Sequence, residues 1–289
     1  MIVVTQQRVL PSLDRVLLSY CGHAISIPYF YRHGDGPAIL FVHGLGGAKE
    51  NFYAAFQSSA LADCRLLAFD NPGTGLAEFD PVTTPDVSAL ADIAHLVAER
   101  LMPRHYFICA ASMGGLIALL KIRRHGTNGL DGFVNIEGNL CPEDCMFSRR
   151  TASQHLELFR TQVFREIISE LLRSPHTGDR VIAHNMALNT DARAYHAFSH
   201  ETVRESDSGK LIEDFLALKV PRLFLYGEVN RSLSYLDRLR QGEVEVGEIS
   251  RSAHFLFYDN PLETFAVIGE FVHRHSHWTE GLHDRLGTI

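Results

Sequence analysis

The sequence predicts an α/β protein built on a mostly parallel, doubly wound sheet. Two observations lead to this prediction. Short apolar runs without polar alternation, such as Ala38–Val42 and residues 106–109, are typical of parallel strands buried on both faces. Each such run is followed by a turn of small residues and then by a segment with helical periodicity, as over residues 85–101. This alternation places helices on both faces of a sheet.

The elements follow in order along the chain. Extended runs at residues 15–20 and 24–31 predict an opening antiparallel hairpin. The buried strands after it are predicted at 38–42, 64–69, 106–109, 132–136, 221–226 and 244–249, and the helices among them at 51–62, 85–101, 113–124 and 261–273. Residues 138–219 keep a helical period, with candidates at 150–172, 180–188, 192–199 and 208–218. We therefore predict a core of residues 1–137 and 220–289 with a helical insertion at 138–219.

Composition and charge limit the function classes. A chain of 289 residues with 46% hydrophobic residues is long enough for one large domain with an insertion. The net charge of -7 argues against binding nucleic acid phosphates, and no apolar run reaches the roughly twenty residues of a membrane span. Residues 1–20 lack a signal-peptide pattern, and five scattered cysteines suit reduced thiols, so we expect a cytoplasmic protein.

Neither a metal nor an organic cofactor is expected. Cys141 and Cys145 are four residues apart, which is not the spacing of common zinc sites, so we interpret them as structural. The alternate histidines His273, His275 and His277 near the C-terminus indicate a solvated end. The glycine-rich loop after residue 42 has Lys49 where a dinucleotide loop needs a third glycine, and it lacks the Gly-Lys-Ser/Thr of a phosphate loop.

The most informative stretch is residues 106–120, where a strand changes directly into a helix around Ala110-Ala111-Ser112-Met113-Gly114. A turn this tight forces its tip residue into strained backbone angles and requires small neighbours. The stretch resembles the nucleophile elbow of the α/β-hydrolase superfamily, with Ala110 in place of the usual first glycine. The resemblance covers almost the whole chain and implies that Ser112 is a nucleophile, that the sheet carries the α/β-hydrolase fold, and that residues 138–219 form a helical cap.

Two loops resemble further motifs of this superfamily. His43-Gly44-Leu45-Gly46-Gly47 resembles the loop that supplies one oxyanion-hole amide, which implies that the backbone N–H groups of Leu45 and Met113 hold the oxyanion. His43 itself is interpreted as fixing the loop. Asp70-Asn71-Pro72-Gly73-Thr74-Gly75 resembles the turn after the fourth strand, where the aspartate stabilises the turn.

The resemblance also implies a catalytic histidine, and it leaves the acid open. His254 follows the last predicted strand, at the family position of the base. The acid usually stands shortly after the seventh strand, but this chain has Asn230 there, and an amide cannot stabilise an imidazolium. We therefore favour Glu137, at the exit of the sixth strand, with Glu228 as the alternative acid. Asn230 is expected to hydrogen-bond nearby.

These residues imply hydrolysis of a small-molecule carboxylic ester, lactone or thioester through an acyl-enzyme. Three alternatives stay open: a carbon–carbon bond hydrolase with the same triad, a slow-turnover hydrolase that acts as a receptor, and a non-catalytic binding protein. A haloalkane dehalogenase or an epoxide hydrolase would carry aspartate at position 112 instead of serine. The sequence does not determine the physiological substrate or the oligomeric state.

Overall fold

A computed structural model of the protein describes residues 10–276. Its eight-stranded sheet has the order β1-β2-β4-β3-β5-β6-β7-β8. The pairs β1/β2 and β2/β4 are antiparallel and all other pairs are parallel, which confirms the predicted fold class. The strands are β1 Ser12–Tyr20, β2 His23–Arg32, β3 Ala38–Val42, β4 Arg65–Phe69, β5 Tyr106–Ala111, β6 Leu130–Ile136, β7 Arg222–Gly227 and β8 Glu245–Ile249.

Apolar side chains cover both faces of this sheet, as the uninterrupted apolar strands require. In β3, Leu40 and Val42 belong to one buried cluster, whereas Ile39 and Phe41 belong to a second cluster on the opposite face. Successive strand residues point to opposite faces, so a strand buried on both sides cannot alternate with polar residues. The first cluster includes helices α1 (Val87–Leu101) and α2 (Met113–His125), and the second includes α11 (Pro261–His275).

The predicted α-helix over residues 51–62 is wrong. The segment consists of two 3₁₀ helices, Lys49–Gln57 and Ser59–Leu61, separated by Ser58 with an extended backbone (ψ 129°). The break lets Phe52, Phe56 and Leu61 all reach the core, where each is at most 2% exposed. Burial of three large apolar side chains outweighs the small preference of the segment for continuous helix.

A 3₁₀ helix, Pro142–Asp144, and six α-helices lie between β6 and β7 in chain order: α3 Met146–Ala152, α4 Leu156–Leu158, α5 Phe164–Leu172, α6 Thr177–Asn189, α7 Ala192–Asp207 and α8 Lys210–Ala217. A π-helical turn, Phe159–Val163, joins α4 to α5. The continuous helix predicted over 150–172 is broken because the Ser153 hydroxyl donates to the Arg150 carbonyl and His155 is extended. Helix α7 runs eight residues beyond the predicted 192–199, and the carboxylate of Glu201, buried in that extension, accepts hydrogen bonds from Ser88 N and Oγ, each 2.8 Å long.

Two further short helices lie between β7 and α11: α9 (Leu236–Gln241) precedes β8, and α10 (Leu256–Asp259) follows it. Within residues 10–276, none of these helices has the length and apolar character needed to cross a bilayer. The five cysteines are all free thiols, and Cys64, Cys109 and Cys145 are buried.

Candidate active site

Ser112 lies between β5 and α2, at the carboxyl-terminal edge of the sheet. Its backbone has φ 53° and ψ -129°, angles that a residue with a side chain adopts only under strain. The residue is half-buried, and its N–H donates to the Ile136 carbonyl over 3.0 Å. The tight strand-to-helix turn predicted from the sequence is therefore present, and it presents the hydroxyl at a sheet edge.

Two glycines allow the chain to approach this turn closely. A Cβ on Gly44 would lie 2.7 Å from Ser112 Cβ and 3.2 Å from the Met113 amide nitrogen. A Cβ on Gly114 would lie 2.2 Å from the Val42 carbonyl oxygen. The loop after β3 therefore packs directly against the start of α2. Because the first amides of a helix have no partner within it, the Met113 N–H is available at this point for a bound group.

His43 fixes the loop from behind. Its ring is completely buried; Nδ1 donates to the Gly44 carbonyl over 2.9 Å, and Nε2 accepts from the Asn71 N–H over 3.0 Å. Burial lowers the pKa of His43 and outweighs the attraction of nearby Asp70, so the ring is neutral at physiological pH. Asp70 is also buried and accepts from the N–H groups of Lys49 and Leu76, each over 2.9 Å.

Glu137 and His254 are brought together by β6 and β8, the two strands on either side of β7. Glu137 directly follows β6, and His254 lies in the loop after β8. His254 Nδ1 donates to Glu137 Oε2 over 2.7 Å, although the residues are 117 positions apart in the chain. The carboxylate is 5% exposed and the imidazole 34% exposed. Glu137, like Ser112, has a positive φ, 43°, which directs a side chain where a regular strand residue could not place it.

Asn230 occupies the position where the superfamily usually has its acid; the sequence indicated a nearby hydrogen bond but did not indicate its partner. Its Nδ2 donates to both oxygens of Glu137, over 3.0 Å to Oε1 and 2.8 Å to Oε2. The Gly227 N–H donates to Oε1 over 2.7 Å. The amide at the usual acid position therefore orients a carboxylate that comes from the neighbouring strand. The combination of Asn230 with a glutamate just after β6 is the only sequence signal for this arrangement.

These contacts set the ionisation of the pair. Burial alone would raise the pKa of Glu137, but the hydrogen bonds from His254, Asn230 and Gly227 hold it below its ordinary value. Burial alone would lower the pKa of His254, but the hydrogen bond and the charge of Glu137 raise it above its ordinary value. The pair thus combines an ionised carboxylate with an imidazole that readily takes up a proton.

Glu228 has different partners. Its Oε2 accepts from the Arg251 N–H over 2.8 Å, and its Oε1 lies 3.2 Å from an Arg231 nitrogen. Of the two candidate acids, Glu137 is the one that contacts His254.

We expect Asn230→Asp to slow turnover at neutral pH about tenfold. Two carboxylates would then face each other across about 3 Å, and such pairs retain a shared proton because one pKa rises strongly. The shared proton would weaken the charge that stabilises the His254 imidazolium. The rate should recover as the pH is raised and the shared proton leaves. Asn230→Ala adds no charge and should give a pH-independent loss. A pH–rate profile for Asn230→Asp parallel to that of wild type would contradict this account.

Potential metal ligands occur elsewhere. Among the described residues, Asp63, Cys64 and His273 offer ligand atoms within 4.8 Å of one another. They lie at the amino-terminal end of β4, at the sheet edge opposite Ser112, and His273 Nε2 is 3.0 Å from the Asp63 carboxylate, the geometry of an ion pair. His275 Nε2 is 2.8 Å from Glu245. The third histidine of the predicted solvated end, His277, lies outside the described residues.

Comparison with known proteins gives a family match over most of the chain. The model of a family described as "Alpha/beta hydrolase family" matches residues 39–267. A putative carbamate hydrolase, RutD, from Rhizobium rhizogenes is 36% identical over 102 residues. That match covers 33% of this chain and 38% of the relative.

Two solved structures are similar along nearly their whole length. An esterase from Thermogutta terrifontis superposes with a TM-score of 0.74 at 19% identity, covering 91% of this chain and 100% of that chain. The N-acyl homoserine lactonase AidH superposes with a TM-score of 0.72 at 18% identity, covering 92% and 98%. At these identities the likeness concerns the fold.

Proposed function

This chain belongs to the alpha/beta hydrolase family, and we propose that within it the protein is a serine hydrolase that cleaves a small-molecule carboxylic ester, lactone or thioester. The observation that carries the proposal is the hydrogen bond from His254 to the buried Glu137 carboxylate at the sheet edge that also holds Ser112. A nucleophile, a base and a group that orients the base are the components of a catalytic triad.

In the proposed mechanism, Ser112 Oγ attacks the carbonyl carbon of the substrate while His254 Nε2 takes up the hydroxyl proton. The tetrahedral oxyanion accepts hydrogen bonds from the backbone N–H groups of Leu45 and Met113. The imidazolium then gives its proton to the leaving oxygen or sulfur, which leaves an acyl-enzyme on Ser112. Water repeats the sequence with His254 as base, and the acid product departs.

Glu137 is the proposed acid, and Asn230 is assigned the role of orienting it. With Nδ1–H of His254 directed at Glu137, the lone pair on Nε2 is the one available for the serine proton. The lowered pKa of Glu137 keeps it ionised at neutral pH, so that it stabilises the imidazolium that forms during the reaction.

Residues 138–219 are proposed to form a cap that excludes water from the acyl-enzyme. The support is contact with the loops of the site. The Gly178 N–H donates over 2.7 Å to Asp259 at the end of α10, the helix that follows the His254 loop, and the Asp191 N–H donates to the Gly73 carbonyl over 2.9 Å. The cytoplasmic location inferred from the cysteines stays a prediction.

Ester and lactone substrates are favoured because the two structural relatives are an esterase and a lactonase. The partial similarity to a putative carbamate hydrolase adds carbamates, whose carbonyl chemistry the same triad could serve. No observation favours cleavage of a carbon–carbon bond, a receptor role or a non-catalytic protein. The labelling and turnover experiment below tests these alternatives.

A fluorophosphonate probe, which is attacked by activated serines, tests the nucleophile. We expect one adduct, located on Ser112 by peptide mass spectrometry and absent from heat-denatured protein. In parallel, a panel of p-nitrophenyl esters, an acyl homoserine lactone, an aryl carbamate and a diketone tests the substrate class. We expect ester or lactone turnover to be fastest. An adduct on another residue, or no adduct on folded protein, would refute the proposed mechanism, and preferred cleavage of the diketone would refute the substrate class.

A further inference from the structure

The turn that carries the Leu45 amide is fixed at two points, Gly44 and the Gly46 carbonyl, and the second is held by a residue of the segment 138–219. The turn is closed by a hydrogen bond of 3.1 Å from the Gly47 N–H to the Gly44 carbonyl. The first residue of the turn, Gly44, packs against Ser112 and the Met113 amide nitrogen, as described above. The third residue of the turn, Gly46, has φ 71°, the positive value that a type II turn requires at that position. Leu45 stands between the two.

A side chain of helix α6 fixes the turn at its second point, the Gly46 carbonyl. Asn185 Nδ2 donates to the Gly46 carbonyl over 2.7 Å, a contact that spans 139 positions of the chain. Asn189, one turn further on, donates to Asn185 Oδ1 over 3.2 Å. Because Asn185 Oδ1 is the acceptor of that bond, the NH₂ group is the one directed at Gly46.

Side chains of the same segment close the space around Gly46. A Cβ on Gly46 would lie 2.7 Å from Met186 Cγ and 3.3 Å from Tyr195 Cε2. Met186 and Tyr195 are 1% and 3% exposed, so this contact is part of the buried core. The turn is therefore confined between α2 on one side and helices α6 and α7 on the other.

We propose that Asn185 is a positioning residue that holds the Leu45 N–H in line with the oxyanion, an inference that rests on the proposed function. Hydrogen-bond donors stabilise an oxyanion most when their position is fixed beforehand, because reorienting them during the reaction costs free energy that offsets the stabilisation. Without the bond to Gly46, the turn keeps its anchor at Gly44 and its packing against Met186 and Tyr195, but it loses the hydrogen bond that fixes the orientation of its last peptide group. The Leu45 amide, at the next position, would then lose its alignment.

The effect should fall on kcat. The oxyanion forms after substrate binding, so a misaligned donor weakens the transition state while the bound substrate is little affected. Complete removal of one donor costs about 10²–10³ in kcat, and we expect displacement in Asn185→Ala to cost about tenfold, with KM within about twofold of wild type. A purely structural role in the segment would instead change KM or thermal stability.

Asn185→Asp separates positioning from packing. Aspartate fills the same volume but cannot donate, and its carboxylate would face the Gly46 carbonyl oxygen. If the amide only fills space, Asn185→Asp should match wild type; if it positions the turn, kcat should fall at least as far as in Asn185→Ala. Gln162→Ala is the control, because it removes another amide of the same helical segment, one that donates to Glu166 over 2.8 Å on the exposed surface. Its kinetics should equal those of wild type.

Hydrogen exchange supplies a measurement that needs no substrate. Peptides covering residues 43–52 should exchange faster in both Asn185 variants than in wild type and Gln162→Ala, with thermal midpoints lowered by no more than the roughly 2–4 °C that the loss of one hydrogen bond explains. Faster exchange together with lower kcat supports the inference. Unchanged kcat in both Asn185 variants, with an active wild type, overturns it and leaves the proposed function intact. A wild type whose turnover does not depend on Ser112 overturns both.

Discussion

Ser112→Ala is expected to reduce kcat for the best ester of the panel by about 10⁴–10⁶, because no other group described at the site can form the acyl-enzyme. The remaining rate should come from the oxyanion donors and from substrate binding alone. Initial rates at saturating substrate, with the variant at high concentration, provide the measurement. Ser19→Ala is the matched control, since Ser19 is exposed on the edge strand β1, away from β5 and Ser112. A Ser112→Ala variant that keeps one tenth of the activity would contradict the assignment.

Ser112→Gly adds a test of the strained backbone. Glycine tolerates φ 53° without steric cost, whereas serine and alanine do not. Ser112→Gly should therefore be about 1 kcal/mol more stable than Ser112→Ala, after allowing for the greater entropy that glycine loses on folding. This difference corresponds to a thermal midpoint about 2 °C higher. Equal midpoints would indicate that the turn stores no strain. A gain in stability with loss of activity is the expected mark of strain kept for function.

Glu137→Gln is expected to reduce kcat by about 10²–10⁴, comparable to the loss known when a triad aspartate becomes asparagine. The surroundings explain the loss. Every neighbour of the carboxylate donates: Gly227 N–H to Oε1, His254 Nδ1 to Oε2, and Asn230 Nδ2 to both. A glutamine has one oxygen, which the fixed backbone N–H of Gly227 should retain. Its NH₂ group would then face His254 Nδ1 and require that nitrogen to accept. The ring proton would move to Nε2, the nitrogen that has to receive the proton of Ser112.

The pH dependence gives this substitution a second signature. In wild type Glu137 raises the pKa of His254, so kcat/KM should fall as the pH drops through a pKa higher than the ordinary histidine value. In Glu137→Gln the favourable charge is gone and burial, which lowers the pKa of His254, remains. The acid limb of the residual activity should therefore move to lower pH.

Glu228→Gln tests the alternative acid under identical conditions. Glu228 contacts Arg231 and the Arg251 N–H on the surface, so its loss should change kcat less than threefold and leave the acid limb in place. If Glu228→Gln proves the more damaging substitution, Glu137 is not the catalytic acid.

Local requirements were predictable from consecutive residues. A turn with room for one residue needs small neighbours, so Ala110 and Gly114 around Ser112 were enough to indicate the strained tip that is present. Likewise, β3 and β5 were recognisable as buried parallel strands because both faces of each had to be apolar. Helix ends were less predictable, since the break at Ser153 and the extension of α7 depend on hydrogen bonds to side chains.

The sequence by itself therefore determined the parallel α/β architecture, the position of the Ser112 turn and the fact that the usual acid position holds an amide. Only the tertiary structure decided which carboxylate contacts His254, that Asn230 orients it, and that Asn185 reaches the turn beside Leu45. These contacts span 117, 93 and 139 positions of the chain. Steric requirements act between residues that are close in sequence, so the local sequence reveals them. Contacts between residues this far apart depend on strand order and register, which no single segment of the sequence encodes.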